Sequence, residues 1–138
     1  MMKKAATMLA KPYPATVVVV DNAKALAAFR KKIGLPRCDH EDDSGAYAST
    51  QSIGTEDAHY ILMIFPDNMH ADGTSMCPVS VIAHECLHAT QAIFGSIGER
   101  NIGDEAHAYL LDDIVEFTYA ALGYITIKKH ELEAATAP

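Results

Sequence analysis

Cysteine is scarce in this chain, and the three present, Cys38, Cys77 and Cys86, are scattered. So small a number gives no disulfide framework, and the lack of any CxxC pair removes support for a thiolate zinc site. A reducing compartment is the expected setting. Basic excess is missing as well. The formal net charge is -7, which leaves neither the positive face that binds nucleic acid nor the polybasic patch that binds anionic lipid. Lys3-Lys4 and Lys31-Lys32 are isolated pairs, expected on solvated surface. No stretch approaches the ~20 apolar residues of a membrane span. Near the start, about six residues separate Lys4 from Lys11, too short an apolar run for a signal peptide. The expectation is a protein soluble in the cytoplasm where it is made, with no nucleic-acid or membrane partner.

What is present is a globular balance: 138 residues, 49% hydrophobic and 21% charged. That length suits one compact domain over 1–138, with frayed ends at 1–12 and 131–138. No repeat, low-complexity tract or linker divides it. Thr16–Val20 is a β-branched run between Pro14 and Asp21-Asn22, the pattern of a buried strand. Asn22 is placed to cap a helix over 23–33, ended by Gly34 and Pro36. Two further strands are expected at 45–50 and 59–65, joined by the polar segment 52–57 into a hairpin.

From Val79 to Phe94 the apolar residues recur at helical spacing. Val79, Ile82, Ala83, Cys86, Thr90, Ile93 and Phe94 share one arc, and His84, His88 and Gln91 fall on the opposite one. A second helix is expected over 104–122, with Leu110, Leu111, Ile114, Phe117, Thr118 and Ala121 inward. Glu105, Tyr109, Asp112 and Glu116 line another of its faces.

The chemistry is concentrated in His84-Glu85-Cys86-Leu87-His88. Residues four apart on a helix lie about 40° apart, one turn along, so both imidazoles can reach one tetrahedral zinc at ~2.0–2.1 Å. Glu85, one step round, is the general base of this HExxH arrangement. A plain exposed helical face with two histidines and a glutamate is the alternative. A catalytic zinc needs a third protein ligand. Glu105 is the first choice, 17 residues after His88 at the start of the next helix. Asp104 and His107 are the other candidates, and first-turn acids that complement the helix dipole are the structural alternative for Glu105 and Asp104. Tyr109, one turn beyond Glu105, is a candidate oxyanion donor, and equally a packing residue between the helices. Asp112, Asp113 and Glu116 are candidates to orient a ligating imidazole, with Asp113 kept as the one second-rank choice. His40, His59 and His70 are expected on the surface, and Cys86 as a buried, inert thiol.

At these residues the chain resembles the zincin superfamily of metallopeptidases, in the gluzincin branch that pairs HExxH with a glutamate on a following helix. The matching residues are His84, Glu85, His88 and Glu105. It is also similar to small uncharacterised HExxH proteins of bacteriophage genomes. In those, a phrase like AHExxHA precedes DExxAYL, as Ala83–Ala89 and Asp104–Leu110 do here. The match spans about residues 79–117. Tyr109 replaces the Asp of an ExxxD continuation, and Gln91 and Phe94 stand where a metzincin carries Gly and His.

The resemblance implies an α+β, zincin-like domain: a small mixed or antiparallel sheet packed against the HExxH helix and a following ligand-bearing helix. It implies a zinc metallopeptidase acting on a protein or peptide, with Zn2+ on His84, His88 and Glu105, and catalysis by Glu85 and Tyr109. The strand at 59–65 is the expected partner for an extended substrate by edge pairing. The rival expectation is a phage virion protein of the neck or tail, in which zinc staples the domain and phage structural proteins are the partners. Its setting is then the host cytoplasm or the virion.

Overall fold

A computed structural model describes residues 2–35, 48–66, 78–98 and 103–125, with the backbone alone at Pro78 and Asp104. In chain order the elements are β1 (Ala6–Leu9), β2 (Thr16–Val20), α1 (Ala23–Lys32), β3 (Ser49–Gly54), β4 (His59–Ile64), α2 (Pro78–Ser96) and α3 (Asp104–Ala121). The strands form one mixed sheet in the order β1-β2-β4-β3. β1 runs antiparallel to β2, β2 parallel to β4, and β3 antiparallel to β4.

The two inner strands are the two apolar runs, for a physical reason. Side chains alternate across a sheet, so a strand covered on both faces is apolar at every position. Val17, Val19, Ile61 and Met63 enter the core beneath α2 and α3. Val18, Val20, Leu62 and Ile64 pack with Ala25, Leu26 and Phe29 of α1 on the opposite face. The molecule is thus helix, sheet and helix pair in layers. Burying each such Val, Ile or Leu contributes about 1.5–3 kcal/mol.

α1 is bounded as its sequence implies. The Ala25 N–H donates to Asn22 Oδ1 at 2.8 Å, which caps the first turn. Arg30, Lys31 and Lys32 lie in the last turn, where positive charge complements the helix dipole. Gly34 follows at φ +80, a left-handed conformation that favours glycine.

Three expectations change. Residues 1–12 are not a frayed end, because Ala6–Leu9 pair with β2 and Met8 is buried. The chain ahead of β1 is held too: the Met2 N–H donates to Asp21 Oδ1 at 2.8 Å and Asn22 Nδ2 donates to the Met2 carbonyl at 2.7 Å. One inward methionine between exposed neighbours was too short a pattern to read as a strand. Second, β3 extends to Gly54, and the turn shrinks to Thr55–Ala58, closed by the Thr55 N–H donating to the Ala58 carbonyl at 2.8 Å. Ser, Thr and Gln suit this strand because it stands at the sheet edge and is only half-buried. Third, β4 is interior, paired on both sides, so residues 59–65 offer no free edge for a substrate. Among the described strands that edge belongs to β3. Residues 45–47 and 131–138 lie outside the described residues. Among the described residues, no helix is long and apolar enough to cross a membrane.

Candidate metal centre and its groove

α2 lies on the sheet with β3 along one flank and α3 along the other. Its buried residues include Ile82, Cys86, Ala89, Ile93 and Phe94. Ala89 was not among the residues expected inward, while Val79, at 60% exposure, and Ala83 face out. The helix is therefore rolled towards β3 relative to the apolar arc. That roll buries Glu85, which is 6% exposed.

Glu85 is the only charged residue in α2, and a buried carboxylate needs hydrogen-bond donors to offset its lost hydration. Thr50 on β3 supplies one: its hydroxyl stands 2.5 Å from Glu85 Oε2 and 3.3 Å from the Glu85 carbonyl. Thr50 and Glu85 are 35 residues apart in sequence, so no local pattern joins them. Beside them β3 and α2 enclose an open groove of about 540 Å³, lined by Ser49, Thr50, Ser52, Glu85, His88, Gln91 and Ala92. The Ser49 hydroxyl, on the opposite face of β3 where its pair Ile64 packs towards α1, is buried without a hydrogen-bond partner among the described residues. Such a group costs about 1–3 kcal/mol while unpaired.

His84 and His88 are exposed on the crest of α2, as their spacing predicts. Their Nε2 atoms are 3.1 Å apart, with ring planes at 76°. Two nitrogens on one tetrahedral zinc at 2.0–2.1 Å would be separated by about 3.3–3.4 Å. The pair therefore fits a single zinc with a shift of a few tenths of an ångström in side chains that solvent leaves free to move.

Glu105 is not brought to that pair. α3 does fold back beside α2, antiparallel, but on the flank away from β3. The Cys86 thiol donates to Thr118 Oγ1 at 3.5 Å, and the Phe94 and His107 rings lie 5.5 Å apart. Cys86 and Thr90 are each two residues beyond or before a ligating histidine, hence about 160° round the helix from it. Phe94 is also about 9 Å along the axis from His88 at 1.5 Å per residue, and Glu105 lies further still, past His107. The two helices do pack side by side, and the flank that α3 takes could not be read from spacing. Tyr109, 65% exposed on the outer side of α3, does not line the groove. His107 is half-buried against Phe94. Among the described residues, no three His, Cys, Asp or Glu side chains group closely enough to hold a metal. His40, His70 and the Asp104 side chain lie outside the described residues.

The remaining titratable groups fit the surrounding packing. Burial pushes the Cys86 thiol up to about 11, with the Thr118 hydroxyl acting against that and the Glu85 charge adding to it. Such a thiol is an inert core residue. Burial, and then the neighbouring Asp112 charge, raises Asp113 above the usual carboxylate range. His59, expected to be plain surface, is half-buried and meets the Ser52 hydroxyl at 2.6 Å at the end of the groove. Ser49, Thr50 and Ser52 were missed because polar strand residues read as solvent-facing; the one available signal was three hydroxyls in four positions of an edge strand.

Comparison of the chain with family models, with curated proteins and with solved structures gave no match.

Proposed function

We propose that this protein is a zinc-dependent hydrolase of amide bonds, a peptidase, working in the groove between β3 and α2. The observation that carries this reading is the juxtaposition of two Nε2 atoms 3.1 Å apart with the buried Glu85 carboxylate beside His88 in one groove. His84 and His88 would hold the metal. A bound zinc supplies Lewis acidity, lowering the pKa of water towards ~7 and polarising a carbonyl.

Glu85 is the base. Thr50 donates to Oε2, which fixes the carboxylate and leaves Oε1 to accept a proton from the attacking water. The same carboxyl then returns that proton to the leaving amine. An extended peptide suits the site because β3 stands at the sheet edge, where unpaired backbone groups can bind a further strand. Ser52 lines that groove and can meet its polar groups. Tyr109 has no place in this scheme, and Glu105 enters it only if α3 docks differently when metal is bound. A zinc-stapled virion protein of a phage neck or tail is the second reading, favoured by the exposure of both imidazoles.

The test is zinc content and peptide hydrolysis, measured on wild type, His88→Ala, Glu85→Gln and Glu105→Gln. The expected pattern is stoichiometric zinc in wild type, loss of zinc in His88→Ala, and retained zinc with abolished hydrolysis in Glu85→Gln. Retained zinc in Glu105→Gln would place the third donor elsewhere. A folded wild type that takes up no zinc would sink the reading.

A further inference from the structure

Charge in this protein is sorted across the sheet, and the groove lies on the negative side. Seven of the 11 Lys and Arg residues fall within residues 2–35, where Asp21 is the only acid. Residues 48–66, 78–98 and 103–125, which build β3, β4, α2 and α3, hold eight Asp and Glu and no Lys or Arg. The fold keeps the two populations apart. Lys24, Lys31 and Lys32 are exposed on α1, which covers the sheet face opposite α2. Lys3 and Lys4 precede β1, at the far edge of the sheet from β3. Asp112, Asp113 and Glu116 are exposed on α3, and Glu56 and Asp57 at the turn between β3 and β4. In the rest of the sequence Arg37, Arg100, Lys128 and Lys129 are outnumbered by nine acids, so those segments add negative charge overall. The net charge of -7 conceals this division because it sums over both sides.

Along β3 the groove has a polar order. Thr50 holds Glu85, and Ser52, on the same face, stands about 7 Å further along the strand. His59 on β4 shares that face with the inward Ile61, and its Nε2 lies 2.6 Å from Ser52 Oγ. Gly54 is its partner across the ladder and has no side chain to crowd the ring. Past this pair the hairpin turns through Glu56 and Asp57. An ammonium or guanidinium carries donors only. A Ser52 hydroxyl donating to His59 Nε2 keeps its lone pairs for such a donor, and the two carboxylates beyond supply the countercharge. An extended peptide rises at nearly the same rate as the strand beside it. Its residues two or more places from the one at Glu85 therefore meet this end of the groove. Opposite charge there speeds encounter and fixes register.

We propose that the groove selects cationic polypeptide, with a lysine or arginine side chain held at its Ser52–His59 end by Glu56 and Asp57. This rests on the reading of the groove as a peptidase site and gives the class of chain cut there. Acidic polypeptide is repelled by the same side of the molecule. A bound zinc offsets Glu85 but lies on the crest of α2, so selectivity belongs to the hairpin end. The carboxylates there are exposed, and added salt screens them.

The experiment compares three fluorescently labelled peptides of one length, whose central residues are flanked two places away on each side by lysine, serine or glutamate. Anisotropy is read on the full-length wild type with a chelator present, and cleavage is followed after zinc is restored. The lysine peptide should bind about 3–10-fold tighter than the serine peptide, and the glutamate peptide most weakly. Salt at about 1 M should erase most of the difference. Glu56→Gln with Asp57→Asn, its circular dichroism that of wild type, should bring the lysine peptide down to the serine peptide's affinity. Asp112→Asn with Glu116→Gln, on α3, should keep the preference. Equal affinity for the lysine and serine peptides in wild type, or binding of neither, would overturn the inference. So would a lysine preference that survives in the hairpin variant. Cleavage of all three peptides at equal kcat/KM would overturn it and leave the hydrolase reading standing. Lysine-selective binding with no cleavage of any peptide would remove the hydrolase reading and leave the groove as a site for cationic peptide.

Discussion

α2 and α3 are neighbouring helices of similar length that share one core, yet they treat charge in opposite ways. α3 follows the ordinary amphipathic rule: Leu110, Ile114 and Phe117 are buried while Glu105, Asp112, Asp113 and Glu116 face solvent. α2 buries its single carboxylate and exposes histidines, Leu87 and Val79. Stability alone favours the α3 arrangement, since a buried carboxylate costs hydration that only specific donors restore. A helix that inverts the rule is where a function beyond packing is to be sought.

The largest effect expected from breaking this contrast is kinetic. Glu85→Gln keeps the shape and the Thr50 contact but removes the carboxylate proposed as the base. Hydrolysis should fall by about 10²–10⁴-fold, read as kcat in a continuous peptide assay with zinc retained. If kcat is unchanged, Glu85 is not the base.

The next effect separates stability from activity. Thr50→Val leaves the buried carboxylate short of its donor, and should cost about 1–3 kcal/mol of folding stability. Chemical denaturation reads that loss, and Thr50→Ser should restore both stability and kcat. A merely structural role would be rescued in stability alone. Glu85→Leu should act in the other direction, raising stability by about 1 kcal/mol while abolishing hydrolysis, as expected where a buried charge is kept for use.

The smallest effects belong to α3. Glu105→Ala and Asp112→Ala should each change stability by no more than about 0.5 kcal/mol, as at other solvated positions. Asp113 has the raised carboxyl, so its folded-state pKa lies above its unfolded one. Stability from such a group is full below the unfolded pKa and is lost as pH rises through the folded one. Asp113→Asn should therefore be the more stable form at neutral pH, by roughly a few tenths of a kcal/mol given its solvent screening. The difference should close on acidification. Denaturation curves at neutral and acid pH test this, and a difference that grows towards acid would contradict the raised carboxyl of Asp113.

Much of the fold was legible in residue order. β2 and β4 follow from unbroken β-branched and apolar runs, and α1 from Asn22, its basic last turn and Gly34. The inward face of α3 agrees at Leu110, Ile114, Phe117 and Thr118. β1 was not legible, because a four-residue edge strand carries one buried side chain. The strand order was not legible either. Nothing in the composition of 59–65 distinguishes an edge from a centre until β2 is known to lie beside it.

The site divides along the same line. The spacing of His84 and His88 alone puts two imidazoles on one face of a helix, because 3.6 residues per turn leaves positions four apart nearly in register. The uncharged crest around them is likewise a property of order and period. Which flank of α2 receives α3, and so the distance of Glu105 and Tyr109 from the groove, depends on how two helices pack on a sheet. So does the meeting of Thr50 with Glu85 across 35 residues. Local periodicity assigns a side chain to a face; only long-range packing decides what stands opposite that face, because the contacts that decide it join segments with no sequence relation to one another.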